Sequence, residues 1–163
     1  MVSVIKIASY ICDRYQKIYG RHIDEMKLHK LLYFTQRECI IQTGKPLFYE
    51  RFSAWKYGPV MVPIRQLYKT NKLQGLVSES ELIEYKDVFD KVFEQYAPKQ
   101  ALSLIALSHS DYAWRHARGL LGRDESCDVL IDNNDIKIDA ERLKTRRVML
   151  RTLKLIEEKE NRV

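Results

Sequence analysis

Ser108-His109-Ser110-Asp111 sets hydroxyls, an imidazole and a carboxylate side by side, the side-chain types of a hydrolytic triad. A working triad is assembled from distant segments, with its nucleophile on a constrained turn, and neighbours in sequence rarely point at one another. No Gly-x-Ser-x-Gly elbow occurs in the chain, and serine and aspartate caps around a helix start account for the same letters. The histidines His22 and His29, and again His109 and His116, stand seven residues apart. On a helix that spacing gives one shared face but a separation of about 10 Å, too far for a single ion with ligands near ~2 Å. Neither Cys-x-x-Cys nor His-Glu-x-x-His is present, and the six glycines form no phosphate-binding run. These residues predict no catalytic group, no metal and no cofactor.

Binding chemistry is better represented. Tyr49, Phe52, Trp55 and Tyr57 crowd one short segment that Gly58-Pro59 stops. Side chains alternate faces along a strand, so Trp55 and Tyr57 share a face with Arg51 and Ser53, while Phe52, Ala54 and Lys56 share the other. One face belongs to the core and the other presents rings or the Lys56 ammonium. Trp, Tyr and Arg dominate protein-interface hot spots, yet Trp55 reads equally as a core ring holding a hairpin against a helix. A second candidate is the basic run Arg142, Lys144, Arg146, Arg147, Arg151 and Lys154, dense enough to neutralise several phosphates. Glu141, Glu157, Glu158 and Glu160 surround it and no aromatic is interleaved, which also fits a solvated face or a strip for an acidic partner.

The elements that must position these groups follow from periodicity. Val4, Ile7, Ala8, Ile11, Tyr15 and Ile18 recur at helical spacing and Gly20 stops them. Asp24 caps a second helix that is apolar around much of its circumference and is expected to be the hub of the fold, broken by Gly44-Lys45-Pro46. A strand over 51–57 is predicted to pair with a second at 75–77, with a third helix over 62–69 between them. Ser80 is placed to cap a helix carrying Leu82, Tyr85, Val88, Phe89, Val92, Phe93 and Tyr96. Pro98 suits the first turn of the next, over 99–108. Ser110 or Asp111 opens a sixth helix ending near Gly119 or Gly122, residues 123–138 read as loop, and Asp139 caps the last helix. The expected fold is mainly α, a compact domain of about seven helices with a small two-stranded β element, the whole of 1–163 forming one domain.

The chain has 163 residues, 45% of them hydrophobic and 31% charged, with a formal net charge of +6. That modest excess suits an acidic protein partner or nucleic acid, and equally serves solubility. No apolar run approaches the ~20 residues that cross a bilayer, and the first residues lack the pattern of a secretory signal. Cys12, Cys39 and Cys127, an odd and widely spaced set, read as reduced thiols, so a cytoplasmic protein with no membrane contact is expected.

Four segments carry a resemblance. Lys27-Leu28-His29-Lys30-Leu31-Leu32-Tyr33-Phe34-Thr35-Gln36, Thr43-Gly44-Lys45-Pro46-Leu47-Phe48, Ala54-Trp55-Lys56-Tyr57-Gly58-Pro59-Val60, and Leu107-Ser108-His109 followed by Trp114 and Ala117 occur in order. Together they resemble the Panacea antitoxin domain, the SocA-like family of small prokaryotic and phage-associated proteins. The resemblance implies a non-enzymatic antitoxin that neutralises a cognate toxin protein by binding it directly. Arg37-Glu38-Cys39 depart from the family pattern and mark candidate partner-specific surface. The partner-contact candidates are Lys30, Gln36, Arg37, Trp55, Lys56, Tyr57, His109 and Trp114. A nucleic-acid-binding accessory protein of a phage or mobile element, acting through the basic last helix, is the alternative. The oligomeric state and any control of the protein's own operon stay open.

Overall fold

A computed structural model describes residues 1–122, 124–125 and 127–161. The protein is mainly helical, with eight helices among the described residues and one two-stranded sheet. Helix α1 (Val4–Tyr19) buries the stripe Val4, Ile7, Ala8, Ile11 and Tyr15 and ends at Gly20, whose φ of 66° suits the left-handed cap. Helix α2 (Glu25–Thr43) starts where the Asp24 carboxylate accepts the Lys27 N–H at 2.8 Å, and it ends at Gly44.

Every residue of α2 from Lys27 to Ile41 is buried, and four other helices and the sheet pack around it. A helix enclosed on all sides must satisfy its polar side chains internally. Gln36 does so by donating to the Phe48 carbonyl at 2.8 Å and accepting the Leu47 N–H at 2.8 Å, which ties the following loop to the hub. Arg37 lies in a closed knot. Its guanidinium donates to both oxygens of Asp111, at 2.8 and 2.6 Å, and to the Tyr96 hydroxyl at 2.8 Å, while the Tyr33 hydroxyl donates to Asp111 at 2.9 Å. Glu38 accepts both Arg147 amino groups at 2.9 Å, fixing the last helix against the hub.

The sheet corrects one expectation. Strand β1 (Ser53–Trp55) pairs antiparallel with β2 (Gly58–Val60), in register Ser53↔Val60, and not with residues 75–77. Lys56-Tyr57 forms a two-residue turn, so Gly58-Pro59 begins the return strand instead of ending the element. Pro59 has no N–H to contribute, and the other edge of β1 is bonded to the segment around Leu130, with the Ala54 N–H reaching the Val129 carbonyl at 2.9 Å. Residues 75–77 belong to no strand, and the Gly75 backbone lies close against Lys6 of α1, where a Cβ would stand 3.0 Å from its Cα.

Helix α3 (Val62–Lys69) forms over its predicted span. The long helix expected next is split by Tyr85, with φ −106° and ψ 15°, into α4 (Glu79–Glu84) and α5 (Lys86–Gln95). Ser78, not Ser80, caps α4 through a reciprocal bond with Glu81. Helix α6 (Ala101–Ser110) begins after Gln100, so Pro98 precedes it, and α7 (Tyr112–Arg118) ends at Gly119. Asp139 caps no helix of its own. It sits within α8 (Asn133–Glu160) and accepts the Tyr112 and Ala113 N–H groups, both at 2.8 Å, thereby capping α7 from a distance. Asp132 caps α8, so the loop after α7 is shorter than 123–138; Arg123 and Ser126 of that span lie outside the described residues. From Val148 onward every described residue of α8 is exposed.

Candidate functional site

The first half of α2 and the β1–β2 hairpin enclose a cleft of about 560 Å³. Its floor is His29 and Lys30 of α2; its rim is Trp55, Lys56 and Tyr57 of the hairpin turn; Arg65 of α3 and Asp128 close the remaining sides. Burial of Phe52 and Ala54 anchors the opposite face of β1 in the core, which turns the rings of the turn outward. Tyr57 is 53% exposed and Trp55 is half-buried. The Trp55 indole donates to Asp128 at 3.1 Å, and the Arg65 guanidinium lies 5.1 Å from the Trp55 ring centre.

The charges around the rim are matched. Arg65 pairs with Glu25 at 2.8 Å and Lys56 with Asp124 at 2.9 Å. The floor differs. Lys30 is only 1% exposed and donates to the Pro59 carbonyl at 3.2 Å. Burial pushes its ammonium down to about 7, with Asp24 opposing the shift. His29, equally enclosed, accepts the Met61 N–H on Nδ1 at 3.2 Å. Burial, with the nearby charges of Lys30 and Arg65, holds its imidazole down to about 3, so the ring is neutral at physiological pH. An accepting Nδ1 in a neutral ring assigns the proton to Nε2, and Nε2 has no partner among the described residues. Both residues line the cleft and carry buried donors.

Gly58 makes this floor possible. Its φ of 96° disfavours a side chain, and a Cβ there would meet the Ser108 hydroxyl at 2.5 Å and the Lys30 Cε at 2.7 Å. Ser108 itself donates to the Ile105 carbonyl at 2.9 Å, and Asp111 belongs to the Arg37 knot, so the residues of the apparent triad serve separate structural ends. No group of three His, Cys, Asp or Glu side chains suited to a metal occurs among the described residues.

Of the candidate contact residues, the structure brings Lys30, Trp55, Lys56 and Tyr57 together at the cleft. Gln36 and Arg37 are a correction, because the enclosure of α2 turns both inward, where they hold the loop and α6–α7 in place. Trp114 is buried as well: its indole donates to the Trp55 carbonyl at 2.9 Å, and its ring stacks on His109 at 3.9 Å. These two rings buttress the hairpin from behind. His29, Arg65 and Asp128 were not singled out as contacts in the sequence; the first is adjacent to Lys30, and the others reach the cleft only through the chain's tertiary course. The basic helix is no clean phosphate track. Arg147 is committed to Glu38, and the groove bordered by Lys144, Arg147 and Arg151 also contains Asp87, Asp90 and Glu94.

Residues 28–115 match the family described as antitoxin SocA-like, Panacea domain, a span that contains α2 from Leu28 onward, the hairpin and most of the cleft lining. Antitoxin SocA of Caulobacter vibrioides (strain NA1000 / CB15N) is 37% identical to this chain over 58 residues, covering 36% of this chain and 31% of that protein. The matched stretch thus spans about a third of the curated relative. No solved structure matches the chain. Among the described residues, no helix is long and apolar enough to cross a membrane.

Proposed function

The chain belongs to the SocA-like Panacea antitoxin family, and from that premise we propose that it is the antitoxin of a toxin–antitoxin pair, neutralising its toxin by direct protein–protein contact and without catalysis. The observation that supports this reading is the aromatic and cationic rim Trp55-Lys56-Tyr57, held outward over a cleft within the matched region. Rings that keep substantial area in water, beside a concave surface, suit the centre of an interface. In this reading residues 1–163 act as one domain in the cytoplasm, with α2 as the rigid support and the hairpin as the contact element.

Co-expression with the product of the adjacent gene tests it. That product alone should arrest growth, the pair should restore it, and the two should co-purify. Replacing Trp55 and Tyr57 by alanine should lose the rescue while the helical circular dichroism is kept. A non-toxic neighbour that fails to co-purify would refute the reading.

A further inference from the structure

The floor of the cleft carries more specific information than its rim. Backbone and side-chain donors inside a protein are almost always paired, because leaving one unmet costs about 1–3 kcal/mol. Here two belong to residues that line the same cavity: the buried Nε2–H of His29, which has no partner among the described residues, and the Lys30 ammonium, whose bond to Pro59 leaves two of its three N–H donors over. Both side chains are 1% exposed, so the donors belong to the built interior of the site and not to a mobile surface. The charge of the cavity narrows the complement. Arg65 is answered by Glu25 and Lys56 by Asp124, which leaves the Lys30 ammonium and the Asp128 carboxylate, the latter holding the Trp55 indole, as the charges without an ion-pair partner among the described residues. A dianionic phosphate would face Glu25 and Asp128 across the same space. A monoanion with two acceptor oxygens fits the two donors, one oxygen for each, with less repulsion from those carboxylates than a dianion would meet.

We infer that the cleft is a carboxylate receptor, in which His29 Nε2–H and the Lys30 ammonium take the two oxygens of a single carboxylate presented by the protein partner, with Trp55 and Tyr57 covering its aliphatic stem. This rests on the protein-binding reading above and names the group that the partner must insert. Entry of the anion answers both donors at once and keeps Lys30 charged, which its burial alone opposes.

The test uses the full chain and three probes: N-acetyl-glutamate α-methylamide, its glutamine counterpart, and N-acetylglycine. The ¹⁵N shifts of His29 Nε2 and Lys30 Nζ are followed as each is added. The glutamate probe should shift both nitrogens saturably, with a Kd on the order of 1 mM, and the glutamine probe should bind about tenfold more weakly or worse. A stronger response to glutamate than to N-acetylglycine assigns the carboxylate to an acidic side chain, and the reverse order assigns it to a chain terminus. Lys30→Met should abolish the difference between glutamate and glutamine. The wild-type comparison decides the matter even if that variant does not fold. Equal responses to glutamate and glutamine, or no shift of either nitrogen with any carboxylate, would overturn the inference. A partner that co-purifies but is indifferent to excess glutamate probe would also remove it while leaving antitoxin binding intact. Probe binding together with an adjacent-gene product that neither arrests growth nor co-purifies would instead remove the antitoxin reading and keep the receptor.

Discussion

Replacing Asp111 by asparagine isolates the electrostatics of the buried knot, because shape and one acceptor oxygen survive while the charge is lost. In the native protein the Arg37 guanidinium makes three hydrogen bonds between 2.6 and 2.8 Å, two of them to this carboxylate, and lies 4.7 Å from the Phe34 ring centre. The side chains of Arg37 and Asp111 are 7% and 10% exposed, so water cannot take over from the carboxylate. An exposed pair is worth ~0–1 kcal/mol, whereas a buried cation stripped of its counterion costs about 3–5 kcal/mol. With a urea dependence of about 2 kcal/mol per molar, D111N should lower the unfolding midpoint by roughly 2 M. Fluorescence of Trp55 and Trp114 and far-ultraviolet circular dichroism follow the transition. Arg37→Met combined with D111N should recover a large part of the loss, since both charges are then gone. A loss below about 1 kcal/mol in D111N, or a double variant whose loss equals the sum of the single losses, would refute the argument.

Gly58→Ala should cost about 2–5 kcal/mol in the same urea titration, combining a disfavoured positive φ with overlap against Ser108 and Lys30; a change within 0.5 kcal/mol, roughly the level of a neutral surface substitution, would refute it. Burial pushes the Lys30 ammonium down to about 7 from its ordinary 10.5, so between these values the unfolded chain holds the extra proton and stability rises with pH. The difference between wild type and Lys30→Met should therefore be flat below pH ~7 and change by on the order of 4 kcal/mol up to pH ~10.5. His29 gives the matching acid limb: burial holds its imidazole down to about 3, below the ordinary 6.5, so stability is lost on acidification through that window, and His29→Gln should flatten the loss. Asp139→Ala removes both N–H acceptors at the start of α7 and should cost about 1–2 kcal/mol, seen as a fall in Tm of roughly 2–8 °C.

Local chemistry was legible in the sequence, and long-range chemistry was not. Asp24, Gly20 and Gly44 bound their helices as read, because a cap acts on residues three or four away. Asp139 satisfied the same local rule and still misled, since its carboxylate serves α7, 26 and 27 residues earlier. The apolar circumference of α2 foretold a central helix, but the same reading left Gln36 and Arg37 at the surface. Only their partners, Phe48 and Asp111, show why polar groups can face inward. At the hairpin, Gly58-Pro59 looked like a terminator because glycine and proline usually punctuate. The two-residue turn before them made a return strand possible. The cleft was half visible: Trp55, Lys56 and Tyr57 announce themselves as a cluster, whereas the two donors beneath them become notable only once burial is known.

Arg147 ties α8 to the hub, and every described residue of α8 beyond it is exposed, Arg151, Lys154 and Lys159 among them. A helical stretch of fourteen or so exposed residues is marginal in water on its own, so this one owes its order to the turns that precede it and opens before the packed part of the helix. Trypsin, which must engage an unwound chain, will therefore clip successively from the carboxyl side and stall near Arg147. Digestion should thus reveal, as a stable fragment on a gel, where the cooperative part of the molecule stops.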